Sequence, residues 1–319
     1  MLAEVQGQDE GVRYLRRVVE GKFTSPLMLV GEEGTGRRFS AIHAVKETFC
    51  VGTREPGCTC LHCEQIDQQI HPDVTVLSAP EDKEIKVDEV RDLIALTMDY
   101  PSLAPVRYLI VDGADRMTSA AANSILKTLE EPPSTARFIL LTEHYERVIP
   151  TIRSRCAKVP YRLLPETFVL SVLHRFEHDH AKALVFARMG EGSVGRAIRH
   201  WGSGHLGLRD RVYTFLQHGL VGDLPSLFSA IDAVGNDLPL GLRLLEQLLH
   251  DVLMIAHDPT RLINTDIAEG IGRLRDGAKP EVWARFSKSI RDIRDRHRTT
   301  RTNLAFHLKT HFAETFSGV

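Results

Sequence analysis

No long hydrophobic run occurs anywhere in the chain. None of its 319 residues fall in a stretch approaching the ~20 apolar residues that span a bilayer, so no membrane segment is expected. The opening Met1-Leu2-Ala3-Glu4-Val5-Gln6 lacks the basic start and apolar core of a secretory signal, which points to a cytoplasmic protein. Excess charge is missing as well. A formal net charge of -2 argues against an autonomous nucleic-acid binder and leaves room only for a local basic face. Aromatic residues are few, at 7%, and form no aromatic-basic stripe of the kind that single-strand binding uses. Five cysteines are too few for a disulfide-built scaffold of this length. Repeats and low-complexity tracts are absent.

What is present is an ordinary globular composition, 43% hydrophobic and 26% charged, long enough for two or three domains. A core of that size folds without metal or disulfides. Through the first half, strands and helices alternate. Apolar runs predict strands at Pro26 to Val30, Asp73 to Leu77, Arg107 to Val111 and Arg137 to Leu141. Helical spacing marks Val12 to Val19, Arg37 to Phe49, Val87 to Met98 and Ser119 to Glu130, the last stopped by Pro132-Pro133. That order implies a parallel sheet with helices on both faces. Past about residue 160 the strand signals fade. Helices are expected from Pro165, over Ala181 to Ala187 and Val194 to His200, and throughout from Arg209 to the end. Leu242 to Ile255 is the clearest, with Leu242, Leu244, Leu245, Leu248 and Leu249 on a wide buried face. Gly202-Ser203-Gly204 and Gly207 suggest a hinge.

Between the first strand and its helix lies Gly31-Glu32-Glu33-Gly34-Thr35-Gly36-Arg37-Arg38. It meets six of the eight requirements of the phosphate-binding pattern G-x-x-x-x-G-K-[ST], in the strand–loop–helix context that makes such a loop work. The two chemical positions fail. Arg37 stands where a lysine would reach the β and γ phosphates. Arg38 stands where a hydroxyl would hold Mg²⁺, and a guanidinium has no lone pair for a metal. The plainer reading is a glycine turn with no nucleotide ancestry. Asp112 ends a hydrophobic strand about 75 residues later, in the place of a Mg²⁺-holding aspartate, and the next residue is Gly113 rather than a water-orienting acid. Loss of all three parts is hard to reconcile with turnover. Arg37 still leaves weak nucleotide binding without hydrolysis open.

Four cysteines cluster as Cys50-x7-Cys58-x-Cys60-x2-Cys63. In a reducing compartment that pattern predicts a closed, structural Zn²⁺ site rather than disulfides or catalysis. The tight C-x-C spacing leaves His62 as an alternative to one thiolate. Cys156 stands alone, with no base in sight to activate it, and reads as a small buried residue.

Two further stretches carry a specific resemblance. Asn123-Ser124-Ile125-Leu126-Lys127-Thr128-Leu129-Glu130-Glu131-Pro132-Pro133 resembles the helix after Walker B in the AAA+ clamp-loader subunits of bacterial DNA polymerase III. Thr151-Ile152-Arg153-Ser154-Arg155-Cys156 resembles their Ser-Arg-Cys motif. Phe138 to Thr142 looks like the sensor-1 strand, and His71-Pro72-Asp73 matches a common element of the bacterial members. The resemblance covers about residues 5 to 200. Within the family, active subunits keep intact Walker motifs, whereas the delta-prime type typically lacks them and keeps Ser-Arg-Cys, as this chain does. Active subunits also resemble Gly-Ser-x-Arg-Asp-Ala near the lid; here the run is Gly192-Ser193-Val194-Gly195-Arg196-Ala197, with glycine at the sensor arginine. The family's cysteine spacing is usually C-x8-C-x2-C-x2-C, so this loop is two residues shorter.

The resemblance implies an α/β AAA+ core, a parallel five-stranded sheet with flanking helices, over 1–160, with a zinc module inserted at about 50–63. A three-helix lid at 161–204 and an all-α collar at 205–319 would follow. It implies that Arg155, flanked by Ser154 and Cys156, acts as an arginine finger in the ATP site of a neighbouring subunit. The implied partners are ATPase subunits of the gamma/tau type and a delta subunit, with the sliding clamp and primer–template DNA reached through the complex. Three other readings compete: an active loader ATPase with unusual motifs, an inactive AAA+ protein outside replication, and a zinc-dependent nucleic-acid-binding module.

Overall fold

The structure, a computed structural model, describes residues 1–78, 83–234, 238–299 and 304–316. It divides into two compact units. One comprises Met1–Phe168 with Ser193–Gly195, and the other Val169–Gly192 with Arg196–Val319.

In the first unit five strands form one sheet: β1 (Leu27–Val30), β2 (Val74–Ser78), β3 (Arg107–Asp112), β4 (Ala136–Thr142) and β5 (Ala157–Pro160). Their order is β2-β3-β4-β1-β5, and all neighbours run parallel. The apolar runs are continuous because both faces are buried, and successive side chains serve opposite faces. Leu27, Leu29, Tyr108, Ile110, Ile139 and Leu141 pack with Leu15 and Val18 of α1 (Asp9–Val19) and Ala41, Ala44 and Val45 of α2 (Arg37–Phe49). Met28, Leu109, Val111, Phe138 and Leu140 face Val90 and Leu93 of α4 (Val87–Ala95) and Ala121, Ala122, Ile125 and Leu129. Helix α3 (Leu61–Asp67) lies between α2 and β2 in sequence. The expected parallel five-stranded sheet with helices on both faces is thus the observed one.

The finer readings of this unit differ in three places. The fifth strand, β5, has only four residues, two of them Lys158 and Pro160, and gives no apolar run. The stretch Ser119 to Glu130 is two helices, α5 (Ser119–Ser124) and α6 (Leu126–Glu130). Ser124 bends it by donating its hydroxyl to the Ala121 carbonyl at 2.7 Å, a local bond that competes with the helix ladder. Helix α4 ends at Ala95, and Leu96–Met98 tighten into a 3₁₀ turn. A short α7 (Pro150–Arg153) opens on proline, whose missing N–H costs nothing there.

Helices α8 (Glu166–Leu173), α9 (His180–Met189) and α10 (Val194–Gly202) follow. Asp179 caps α9 by accepting from the Ala181 and Lys182 N–H groups. The second unit continues with α11 (His205–Leu220), α12 (Leu224–Val234), α13 (Leu238–Met254), α14 (Ala268–Asp276), α15 (Pro280–Thr299) and α16 (Leu304–Phe316). The expected leucine face of α13 is buried. Of the residues suggested as a hinge, Gly204 takes left-handed backbone at the start of α11, whereas Gly207 lies inside that helix. The parts of the expected helical stretch at 235–237, 300–303 and 317–319 lie outside the described residues. No helix among the described residues is long and apolar enough to cross a membrane.

Candidate functional site

Strand β1 delivers Gly31 to the carboxyl edge of the sheet, and α2 starts at Arg37. Gly34 and Gly36, at φ +74° and +93°, supply the left-handed turn that glycine takes without strain. Both arginines of the loop are engaged inside the chain. Arg37 is buried, with Nη2 3.1 Å from Glu143 Oε1. Arg38 places Nη1 3.5 Å from Asp112 Oδ2. At that length and exposure the pair adds little stability. Its chemical consequence is larger: a fixed positive charge stands beside the carboxylate that a Mg²⁺ ion would need. Glu143 directly follows β4, whose last residue, Thr142, donates its hydroxyl to Asp115 at 2.8 Å. Neither Glu143 nor Asp115 was a candidate from sequence. For Glu143 the signal available was an acid directly after a strand, as Asp112 ends another, beside a loop with two arginines.

Within the same unit, Ser193–Gly195 sit directly on the loop. Ser193 donates its hydroxyl to the Glu33 carbonyl at 2.9 Å, and the Gly195 N–H donates to the Gly34 carbonyl at 2.9 Å. A Cβ at Gly195 would come within 2.6 Å of the Gly34 Cα. Glycine at the expected sensor-arginine position is therefore a packing requirement, because no side chain fits there. Arg196, the next residue, donates to the Gly190 carbonyl at 3.2 Å. Gly113 has φ +97°, and a Cβ there would meet the Arg116 guanidinium at 2.5 Å. An acid at position 113 would carry a strained backbone and displace Arg116.

The Ser-Arg-Cys segment lies at the other edge of the sheet. Ala157, the first residue of β5, pairs in register with Leu27, the first of β1, while Val30 pairs with Pro160. Arg155 thus precedes the amino edge of the sheet, and Gly31 follows the carboxyl edge. About 13 Å of strand separates those two edges, at about 3.3 Å per residue. Arg155 donates Nε (3.2 Å) and Nη2 (2.7 Å) to Glu130 Oε2, and Nη1 to the Thr151 carbonyl at 3.0 Å. Ser154 bonds the Thr151 carbonyl at 3.1 Å. Cys156 packs into the core formed with α4, α5 and α6. Burial pushes its thiol up to about 12, so it is inert as a nucleophile, as its isolation in the sequence suggests.

The four clustered cysteines converge. Their Sγ atoms all lie within 4.8 Å of one another, with Cys50–Cys58 at 3.6 Å and Cys50–Cys60 at 3.9 Å. A tetrahedral ion with metal–sulfur bonds of about 2.3 Å sets its sulfurs about 3.8 Å apart. The donor set fits a closed tetrahedral structural metal, and a Cβ at Gly52 would stand 2.6 Å from Cys58 Sγ, inside the cradle. Cys50 ends α2, while Cys60 and Cys63 sit at the start of α3. The Cys60 N–H and the Thr53 hydroxyl and N–H pull the Cys58 thiol down to about 6, whereas burial pushes the Cys63 thiol up. His62 is not among the converging donors. Its Nδ1 lies 2.8 Å from His71 Nε2, and His71 Nδ1 accepts the Asp73 N–H at 3.1 Å. The His62 ring is thus engaged with His71, away from the four converging thiols.

His71-Pro72-Asp73 proves to be a structural clasp. The Asp73 carboxylate is fully buried and accepts from the N–H groups of Ser102, Leu103 and Ala104 at 2.7, 2.7 and 2.9 Å, and from Arg107 Nη2 at 3.2 Å. Arg107 also reaches the Leu96 and Tyr100 carbonyls, so the two residues together shape the connection between α4 and β3.

Comparison with known proteins follows the same line. The family described as "DNA polymerase III, delta subunit" matches residues 7–164. The chain is 30% identical over 239 residues to the DNA polymerase III subunit delta' of Escherichia coli (strain K12), covering 74% of this chain and 71% of that protein. It is 34% identical over 134 residues to the delta' subunit of Pseudomonas aeruginosa, 41% of each chain. To the gamma/tau subunit of Mycobacterium tuberculosis (strain H37Rv) it is 29% identical over 286 residues, 86% of this chain and 48% of that one. The alignments thus span less than half of each of the last two relatives. A gamma subunit-related protein of Thermotoga maritima superposes with a TM-score of 0.49 at 19% identity, over 96% of this chain and 98% of that one.

Proposed function

Because the chain belongs to the delta-prime family of DNA polymerase III clamp-loader subunits, we propose that it is a non-hydrolysing member of the loader, which supplies Arg155 in trans to the ATP site of an adjacent subunit. A role in clamp loading comes with the family. The finger, the inert site and the neighbours are the finer part of the reading.

One observation carries it: the register of β5 on β1 sets Arg155 and the phosphate loop at opposite edges of one sheet. An arginine placed so cannot serve its own loop, but it is presented to whatever packs against the far edge. Its fixed charge and planar fork suit the charge that develops on a transferring γ-phosphoryl group, where such arginines are worth roughly 10³ to 10⁵ in rate. The loop itself is blocked three ways. Arg38 takes the cation's place at Asp112, Arg37 is spent on Glu143, and Ser193–Gly195 cover the turn. The implied partners are gamma/tau-type ATPase subunits and a delta subunit, with clamp and primer–template DNA engaged by the assembled complex. The four thiolates hold a structural Zn²⁺ that braces the insert between α2 and β2. A lid (161–204) follows the core, and the helical collar (205–319) is the part through which the chain joins its companions.

The test is a loader reconstituted with Arg155→Ala. Assembly is expected to be normal, with a large fall in DNA-stimulated ATP hydrolysis; unchanged turnover would refute the finger. The long match to a gamma/tau subunit favours a second reading, an active loader ATPase. Arg38, Gly113 and the covered loop oppose it, and ATP hydrolysis by the isolated chain would reinstate it.

A further inference from the structure

Glu130 is the last residue of α6, with Pro132 and Pro133 following shortly after the helix end. Arg155 comes from the turn after α7, 25 residues further along. One carboxylate oxygen of Glu130 takes both Nε and Nη2 of the guanidinium, and the Thr151 carbonyl takes one N–H of Nη1. A guanidinium has five N–H groups: one on Nε and two on each terminal nitrogen. Among the described residues three are committed. The two left over are one on Nη1 and one on Nη2, which remain to donate to the oxygens of a phosphoryl group.

We infer that Glu130 is a positioning residue for Arg155: it grips the side edge of the guanidinium so that the terminal edge is presented, already oriented, to a phosphate on the neighbouring subunit. This rests on the reading of Arg155 as a group acting in trans. An arginine side chain free to swing would first have to be ordered, and small misplacements of a group that meets a transition state are costly. The pair is largely exposed, with 28% of the Arg155 and 60% of the Glu130 side chain open to solvent. Ion pairs of that kind contribute little to stability. Its effect should therefore appear in the chemistry of the assembled loader and leave the melting of the chain unchanged, which separates positioning from a structural role.

The experiment uses the full chain assembled with its ATPase subunits, and reads kcat and KM for ATP in the share of DNA-stimulated turnover that Arg155→Ala removes. Glu130→Ala is expected to lower that kcat by about fivefold to tenfold at unchanged KM, the signature of an interaction made in the transition state. Glu130→Gln, which keeps an acceptor oxygen in place, should recover to within about twofold. Combined with Arg155→Ala, Glu130→Ala should add nothing, since a residue acting only through another shows complete coupling. The inference is overturned if Glu130→Ala leaves kcat unchanged, or if it causes the same loss in the Arg155→Ala background. Should Arg155→Ala itself be silent, the trans-acting reading fails and takes this one with it. A crippling Arg155→Ala beside a silent Glu130→Ala sinks the role of Glu130 alone.

Discussion

A carboxylate with no water around it needs donors, and Asp73 has four: three backbone N–H groups and Arg107. Burial alone would raise its pKa, but the N–H donors of Leu103, Ser102 and Ala104, together with Arg107, outweigh burial and hold it below the usual carboxylate range. Replacing it by alanine strands a buried guanidinium, which should cost about 3 to 5 kcal/mol, read as a lowered urea midpoint. The same geometry gives a pH dependence. A group whose folded pKa is depressed stabilises fully above its unfolded value of about 4 and loses that contribution as pH falls through the folded value. Between pH 4 and pH 2 the parent chain should therefore lose stability more steeply than Asp73→Asn; equal slopes would remove Asp73 from the account. Sequence marked this residue through a family motif, and only the buried nest of donors reveals that its work is architectural.

At the level of elements, the cysteine module depends on two short pieces, the end of α2 and the seven-residue α3. Helices as short as α3 are not stable on their own in water, so metal coordination is what should hold it. The expected outcome is one zinc per chain by elemental analysis. A strong chelator should lower Tm and remove a small part of the helical circular dichroism while the sheet persists, and Cys58→Ser should do the same. A chain that is metal-free as purified yet melts unchanged would exclude the site. The four thiols were legible in the sequence; their convergence without His62, which turns to His71, was not. The other four strands were legible from their apolar runs, which for β1, β3 and β4 follow from burial on both faces. β5 was not, since an edge strand of four residues with a lysine and a proline leaves no such trace. The break at Ile125 depends on one serine hydroxyl turning back on its own backbone, a choice that periodicity does not register.

For the first unit as a whole, the strands present two ends with different chemistry, the Gly31–Arg38 loop after one and Arg155, held to Glu130 and the Thr151 carbonyl, before the other. Calorimetric titration of the isolated chain with Mg²⁺–ATP should show no binding. The double change Arg37→Lys and Arg38→Thr should still yield no hydrolysis, because the cover over the loop, the glycine at 113 and the lack of a neighbour's arginine all persist. Turnover by that variant alone would mean that the obstruction lies only in the two arginines. The arginines at 37 and 38 were visible in sequence; the contacts of Ser193 and Gly195 with the loop were not. Gly195 meets Gly34 across 161 positions of chain, and two glycines carry no pattern that betrays a contact.

That meeting of two glycines also bears on how the loop could be altered. A lysine at 37 would be captured by Glu143, and a hydroxyl at 38 would leave Asp112 without its counter-charge. An acid at 113 would inherit a left-handed backbone, and any side chain at 195 would strike the turn beneath it. A single substitution at any one of these four positions leaves the other three obstacles in place, so several changes at once would be needed to open a nucleotide site here.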